Sequence, residues 1–202
     1  MESADCLERL KSLLAKLPGV GRRSAERMAV AMARNRDGYL KNLTDVLREV
    51  GETVVTCRNC GSLTGVEENP CRLCRDPRRD DRVLCVVEDP GDIEIIERSG
   101  LYRGRYYALM GKLSPVRGET PHSLRLQHLW QRIADESIEE IILALNSDVE
   151  SDATAHYLAE QMQEGRSIRI TRLARGIPAG SGLAYADPVT LEAALKNRTR
   201  FN

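Results

Sequence analysis

Two Cys-x-x-Cys pairs, Cys57/Cys60 and Cys71/Cys74, stand ten residues apart in a chain of 202 residues. Each such turn presents two thiolates to one ion from a single tight loop, and two turns complete the tetrahedral sulfur shell that zinc favours. The spacing therefore predicts one structural Zn2+ per chain on Cys57, Cys60, Cys71 and Cys74. With all four positions filled by protein, none is left for a substrate. In a reducing compartment clustered cysteines bind metal rather than pair as disulfides. The other two cysteines, Cys6 and Cys85, fall within apolar patterns and are expected in the core.

A second stretch, LPGVGRRSAERM, joins two amphipathic segments through Pro18-Gly19-Val20-Gly21. Gly19 and Gly21 permit a sharp turn, and the amides that open the next helix point outward, where the helix dipole favours an anion. Arg22, Arg23 and Arg27 crowd the first turns of that helix, where basic charge opposes the dipole. A bound phosphate removes the conflict, so Gly19, Gly21, Arg22, Arg23 and Arg27 are the candidate DNA contacts. The chain as a whole is neutral, with 30 basic and 30 acidic residues. Residues 1–48 nevertheless carry ten Lys/Arg against six Asp/Glu, which places nucleic-acid contact in the first third. Arg75, Arg78 and Arg79, beside the cysteines, form the alternative basic set.

A third group is acidic. Glu88 ends an apolar run, and Asn146, Asp148, Glu150 and Asp152 follow another. Carboxylates at the tips of neighbouring parallel strands can gather Mg2+ for phosphoryl transfer. The bland alternative is helix-start charge, favourable to the dipole in its own right. No GxxxxGK[ST] loop is present to cradle a nucleotide.

These groups need elements to position them. Apolar spacing predicts helices over 3–16, 22–35 and 39–53, a helical module too short to bury much by itself and so in need of a partner. From residue 82 the pattern changes to alternation: strands near 83–87, 105–111, 139–145 and 167–175, with helices over 90–100, 122–137, 150–165 and 187–198. Such βαβα order implies a parallel sheet covered by helices on both faces, with ligands at the carboxyl ends of its strands. No run of eighteen apolar residues occurs, and the acidic, amphipathic N-terminus is unlike a signal peptide. A cytoplasmic protein without membrane contact is expected.

The segments LPGVGRRSAERMA, the four cysteines, CRDPRRDDRVLCVVEDPGDIEIIERSGLYRGRYYALMGKLSPVRG, EEIILALNSDVESDATAHYLA and ITRLARGIPAGSGLAYADPVTL, in that order, resemble the bacterial RecR family of recombination mediators. The resemblance runs nearly the whole length. It implies a multi-domain α/β protein: a helix-hairpin-helix module over 1–53, a four-cysteine zinc finger over 54–79, a Toprim domain with a Rossmann-like parallel sheet over 80–174, and a C-terminal Walker-B-like and helical segment over 175–202. Toprim domains of topoisomerases and primases hold Mg2+ with one Glu and an Asp-x-Asp pair. Here Glu88 stands at the glutamate position, but Asn146 replaces the first aspartate, so the catalytic set is broken. Asp148 restores a carboxylate where the family tends to have threonine, which keeps weak Mg2+ binding open. The loop between the cysteine pairs is about two residues longer than usual, a change zinc fingers tolerate.

The resemblance further implies a protein that is not an enzyme. It would bind single- and double-stranded DNA, assemble as a homo-oligomeric dimer or tetrameric ring, and associate with the nucleoid at damage. With RecO and RecF it would help load RecA onto single-stranded DNA covered by single-strand binding protein. The Toprim surface at Glu88, Asn146, Asp148 and Glu150 would dock those partners. The alternative reading is a Mg2+-dependent Toprim nuclease or primase-like enzyme, against which Asn146 counts; a zinc ribbon that docks only to protein is disfavoured by the hairpin arginines.

Overall fold

The computed structural model describes residues 2–163 and 168–200, and the chain divides into two units, 1–55 and 56–202. The predicted helix over 150–165, the strand over 167–175 and the C-terminal segment to 202 each run past the described residues at one end.

The first unit is helical. Helix α1 (Glu2–Leu14) leads through the Pro-Gly turn into α2 (Arg22–Arg34), which buries Ala25, Ala29 and Met32. Those three lie at i, i+4 and i+7, one stripe of a helix. Asn35 ends α2: its N–H donates to the Ala31 and Met32 carbonyls, and its side chain accepts from the Tyr39 amide at 3.1 Å. The chain therefore widens into a π-helical turn, Arg36–Leu40, before α3 (Lys41–Thr53). The helix expected over 39–53 starts at Lys41 because this turn takes Tyr39 and Leu40, and the turn's signal is one capping asparagine rather than a period.

Helix α3 buries none of its side chains, and Val46, Leu47 and Val50 are exposed. Cys6, expected in the core, is exposed on α1. About fifty residues of helix cannot cover both sides of their own elements, so an apolar pattern here does not guarantee burial. Cys85, by contrast, is buried.

Strand β1 (Val54–Thr56) spans the boundary, and in the second unit a cysteine module lies around the short strand β2 (Leu63–Gly65) and the single-turn helix α4 (Arg72–Arg75). There follow β3 (Asp80–Val87), α5 (Pro90–Arg98), β4 (Gly104–Ala108), α6 (Leu126–Asp135), β5 (Glu140–Leu143), α7 (Val149–Gln163), β6 (Arg169–Arg172) and α8 (Pro188–Lys196). Strands β3 to β6 form one parallel sheet in the order β4-β3-β5-β6. Gly104 opens β4 because a Cβ there would lie 2.6 Å from the Val83 carbonyl oxygen. Asp89 caps α5 in a reciprocal box with Asp92, with Pro90 behind it, and Asp187 caps α8 through the amides of Val189 and Thr190.

Alternation along β3 assigns the two faces. Leu84 and Val86 pack with Leu129 and Ile133 of α6 and Leu158 and Met162 of α7. Cys85 and Val87 point the other way, onto Ile93 of α5 and onto Cys57, Cys60 and Cys71. The cysteine module thus serves as part of the covering layer on one face. Central β5 sets Ile141 against Leu84 on one side and Ile170 on the other. Ile141 is fully buried. Ile141→Ala is expected to cost about 3 kcal/mol in urea unfolding, with the transition midpoint falling and its slope unchanged.

Candidate metal centre, anion site and acidic sheet edge

The four sulfurs of Cys57, Cys60, Cys71 and Cys74 lie within 4.8 Å of one another. Cys57 Sγ is 3.8 Å from Cys74 Sγ, and Cys60 Sγ is 3.6 Å from Cys71 Sγ. A tetrahedron with metal–sulfur bonds of about 2.3 Å has edges of about 3.8 Å, so the donor set fits zinc in both chemistry and spacing. Backbone amides support the sulfurs: Cys71 N–H donates to Cys57 Sγ and Ser62 N–H to Cys60 Sγ. Hydrogen bonds among the four sulfurs pull the Cys57 thiol well below its ordinary range and push the Cys74 thiol above it. Such crowding of sulfur is what a cation relieves.

The module is fastened to the sheet through polar contacts. Ala108 N–H donates to the Cys60 carbonyl at 2.7 Å, and the Arg105 guanidinium donates to the carbonyls of Leu73 and Cys74. Arg125 lies over the Tyr107 ring and donates to the Arg58 carbonyl at 3.1 Å. Gly61, with φ +83°, turns the first knuckle where any Cβ would strike the Arg125 guanidinium. Arg79 belongs to this inner framework too. It is buried, donates to the Gly104 carbonyl, pairs with Glu97 and lies over the Tyr106 ring. The alternative basic set at Arg75, Arg78 and Arg79 is therefore corrected: Arg79 faces inward, and Arg78 is clasped by Asp76 at 2.9 Å.

In the first unit, Gly19 takes φ +76° in the hairpin turn and Gly21 is the extended N-cap residue of α2. A glycine cap has no side chain to offer the first amides, and the first turn of α2 has no acidic residue. Arg22, Arg23 and Arg27 are exposed, and none of the three forms an ion pair among the described residues. A positive helix end, outward amides and three guanidinium groups without an ion-pair partner among the described residues bring together, on one short stretch, the groups that suit an anion.

The acidic group sits at the carboxyl end of the sheet, where central strands β3 and β5 end side by side. Glu88, just beyond β3, is buried, and both of its carboxylate oxygens are occupied. Asn146 donates to them from its backbone N–H and from its side-chain amide, each at 2.8 Å. Glu88 thus lies beneath the surface, while Asn146 and Asp148 are exposed and Glu150 is half-buried. Asp148 accepts from the Ser151 amide and from Lys112 Nζ at 2.6 Å. Glu150 accepts from Ser114 and has Lys112 Nζ at 3.5 Å and Arg117 at 4.0 Å. Asp152 is gripped by Arg172 and Arg175.

Lys112 chiefly, with the Ser151 amide, holds the Asp148 carboxyl down to about 2. Its folded value is depressed, so the pair is intact above the ordinary carboxylate range and is lost only as the pH falls toward 2. This donor set does not fit Mg2+, which wants several free oxygens near 2.1 Å in an octahedron. Lys112, Arg172 and Arg175 escaped sequence reasoning because their partners lie 36, 20 and 23 residues away in the chain. The signal available was position: Lys112 follows a strand that neighbours the one ending at Glu88.

Comparison with known proteins matches three family models to this chain: RecR, helix-hairpin-helix, over residues 7–50; Toprim domain over 82–174; and RecR, C-terminal, over 176–199. Recombination protein RecR of Myxococcus xanthus is 46% identical over 194 residues, covering 96% of this chain and 97% of the relative. That of Rubrobacter xylanophilus is 47% identical over 195 residues, 96% of each chain. That of Cereibacter sphaeroides is 42% identical over 200 residues, 99% of each chain.

Proposed function

The chain belongs to the RecR family of recombination proteins, and from that premise we propose that it is a recombination mediator in DNA repair that works by binding and not by catalysis. The observation that carries this reading is the start of α2, where exposed Arg22, Arg23 and Arg27 surround a helix end with no side-chain cap. That arrangement suits a phosphate backbone and carries no means of reading base edges, so binding is to DNA of any sequence, single- or double-stranded.

The acidic edge at Asn146, Asp148 and Glu150 is the proposed docking surface for RecO and RecF, with buried Glu88 holding Asn146 in place from below. Zinc on the four cysteines is the proposed structural metal, one ion per chain, since four soft sulfur donors at tetrahedral spacing favour it. Exposed apolar residues on α3 (Val46, Leu47, Val50) and near the C-terminus (Leu183, Tyr185, Val189) support assembly with further copies, as dimer or tetrameric ring. Work at DNA damage implies the bacterial cytoplasm and nucleoid, and among the described residues no helix is long and apolar enough to cross a membrane.

The test is recombinase loading. Added with RecO to single-stranded DNA covered by single-strand binding protein, the protein is expected to shorten the lag of RecA filament formation without consuming nucleotide itself. Mg2+-dependent nicking that survives repurification and disappears in Glu88→Ala would establish the nuclease reading instead.

A further inference from the structure

Three oxygens converge on one point of the acidic edge: Asp148 Oδ2 at 2.6 Å, Ser151 Oγ at 3.4 Å and Glu150 Oε2 at 3.5 Å. The atom at that point is Lys112 Nζ. We infer that the Lys112 ammonium is a tethered cation that does for these carboxylates what a divalent ion would do, holding them together and excluding Mg2+ from the edge.

Several features of the fold deliver the side chain there. The backbone after β4 crosses the tip of β3, with Leu109 N–H on the Val87 carbonyl and Gly111 N–H on the Glu88 carbonyl. To do so it takes left-handed values at two successive residues, φ 65° at Met110 and 141° at Gly111. A non-glycine residue in that region is strained and persists only where its surroundings impose it. Leu113 N–H then bonds to Thr154 Oγ1 of α7 at 2.9 Å, which anchors the residue after Lys112 to the same helix that carries Glu150 and Ser151. The Lys112 side chain is 16% exposed, so its stem is packed and only the charged end meets the carboxylates. Its amine is raised above its ordinary value, first by the hydrogen bond to Asp148, and stays charged at any working pH.

An ammonium differs from Mg2+ in being covalently attached. No chelator removes it and no change of free Mg2+ alters its occupancy. Any partner that reads Asp148 and Glu150 therefore meets the same surface whatever the divalent-ion concentration, and the Toprim fold here presents a fixed edge instead of a metal-dependent one. The inference concerns the free chain and holds whether or not the edge docks RecO or RecF.

Removal of the ammonium tests it. Lys112→Ala leaves Asp148 Oδ2, Glu150 Oε2 and Ser151 Oγ converging on an empty point, with Asp148 unpaired and Glu150 left with Arg117 at 4.0 Å as its remaining cation. Mn2+ serves as the probe, followed by paramagnetic resonance without DNA or partner. The variant is expected to gain one saturable site with a dissociation constant on the order of 10⁻⁴ to 10⁻³ M, at least tenfold tighter than anything wild type shows. Lys112→Gln, which keeps most of the packed stem and removes the charge, is expected to gain the same site and covers the case in which the alanine variant misfolds. The added site should vanish in Lys112→Gln/Asp148→Asn. Saturable Mn2+ binding by wild type that needs Asp148, or no gain in a folded Lys112→Gln, overturns the inference.

Discussion

Cys60→Ser is expected to abolish zinc binding, taking the metal content from one ion per chain to none and unfolding residues 57–74 as a unit. Apparent metal contributions in small zinc modules run to about 10–16 kcal/mol, comparable with the whole stability of a domain at about 5–15 kcal/mol. A module of one three-residue strand and a four-residue helix has nothing else of that size to hold it. The damage should spread. Cys57, Cys60 and Cys71 are part of the apolar layer over Cys85, Val87, Tyr106 and Ala108, so a loosened module uncovers one face of the sheet. Added zinc chelator should reproduce the effect in the wild type slowly, as the buried sulfurs open. Cys85→Ala separates metal loss from lost packing, because Cys85 contacts the layer from β3 and lies outside the sulfur cluster. That variant should keep its zinc and lose only a little stability. A Cys60→Ser protein that retains one zinc and a folded module would show that the ligand set has been misassigned.

The parts of this molecule that sequence made legible are those encoded over short distances. The run VLCVV reads as a buried strand because central strands of a parallel sheet are apolar on both faces, and β3 is central. The cysteine turns read as a metal site because each pair's geometry is set within four residues. The Pro-Gly turn and its arginines read as a hairpin for the same reason. What was not legible depends on contacts made over long distances or on how much surface a unit can cover. Cys6 has the same apolar spacing as a buried residue, yet it is exposed on α1. Glu88 follows a strand as a surface carboxylate would, but the amides of Asn146 draw it inside from 58 residues away. Arg79 reads as one of a basic trio until Glu97 and Tyr106 claim it. Glu88 and Arg79 depend on which strand lies beside which, and that order is not written in local periodicity.

The hairpin arginines give the second large effect. In the combined variant Arg22→Ala/Arg23→Ala/Arg27→Ala, DNA affinity should fall by about two orders of magnitude near 0.1 M salt. The slope of log affinity against log salt should flatten by about 2 to 3, because each neutralised phosphate contributes about 0.7 to 0.9 to it. Net charge on the whole chain is zero, so no diffuse field replaces the lost contacts. Fold should be untouched: all three side chains are exposed, and α2 packs through Ala25, Ala29 and Met32 instead. Removing basic charge from the start of a helix should even stabilise α2 slightly. Zinc content and oligomeric mass therefore serve as controls, and both should match wild type. If the proposed assembly joins several hairpins, the loss should also exceed what one chain's contacts supply, because they then act at high effective concentration. Dilution below the assembly threshold should bring wild type toward the variant, while the variant itself changes little. A triple variant that binds single- and double-stranded DNA as wild type does would place the contact elsewhere on the chain. The residues to test next would be Arg72 and Arg75, exposed beside the cysteines, because Arg78 and Arg79 are already engaged by Asp76 and Glu97.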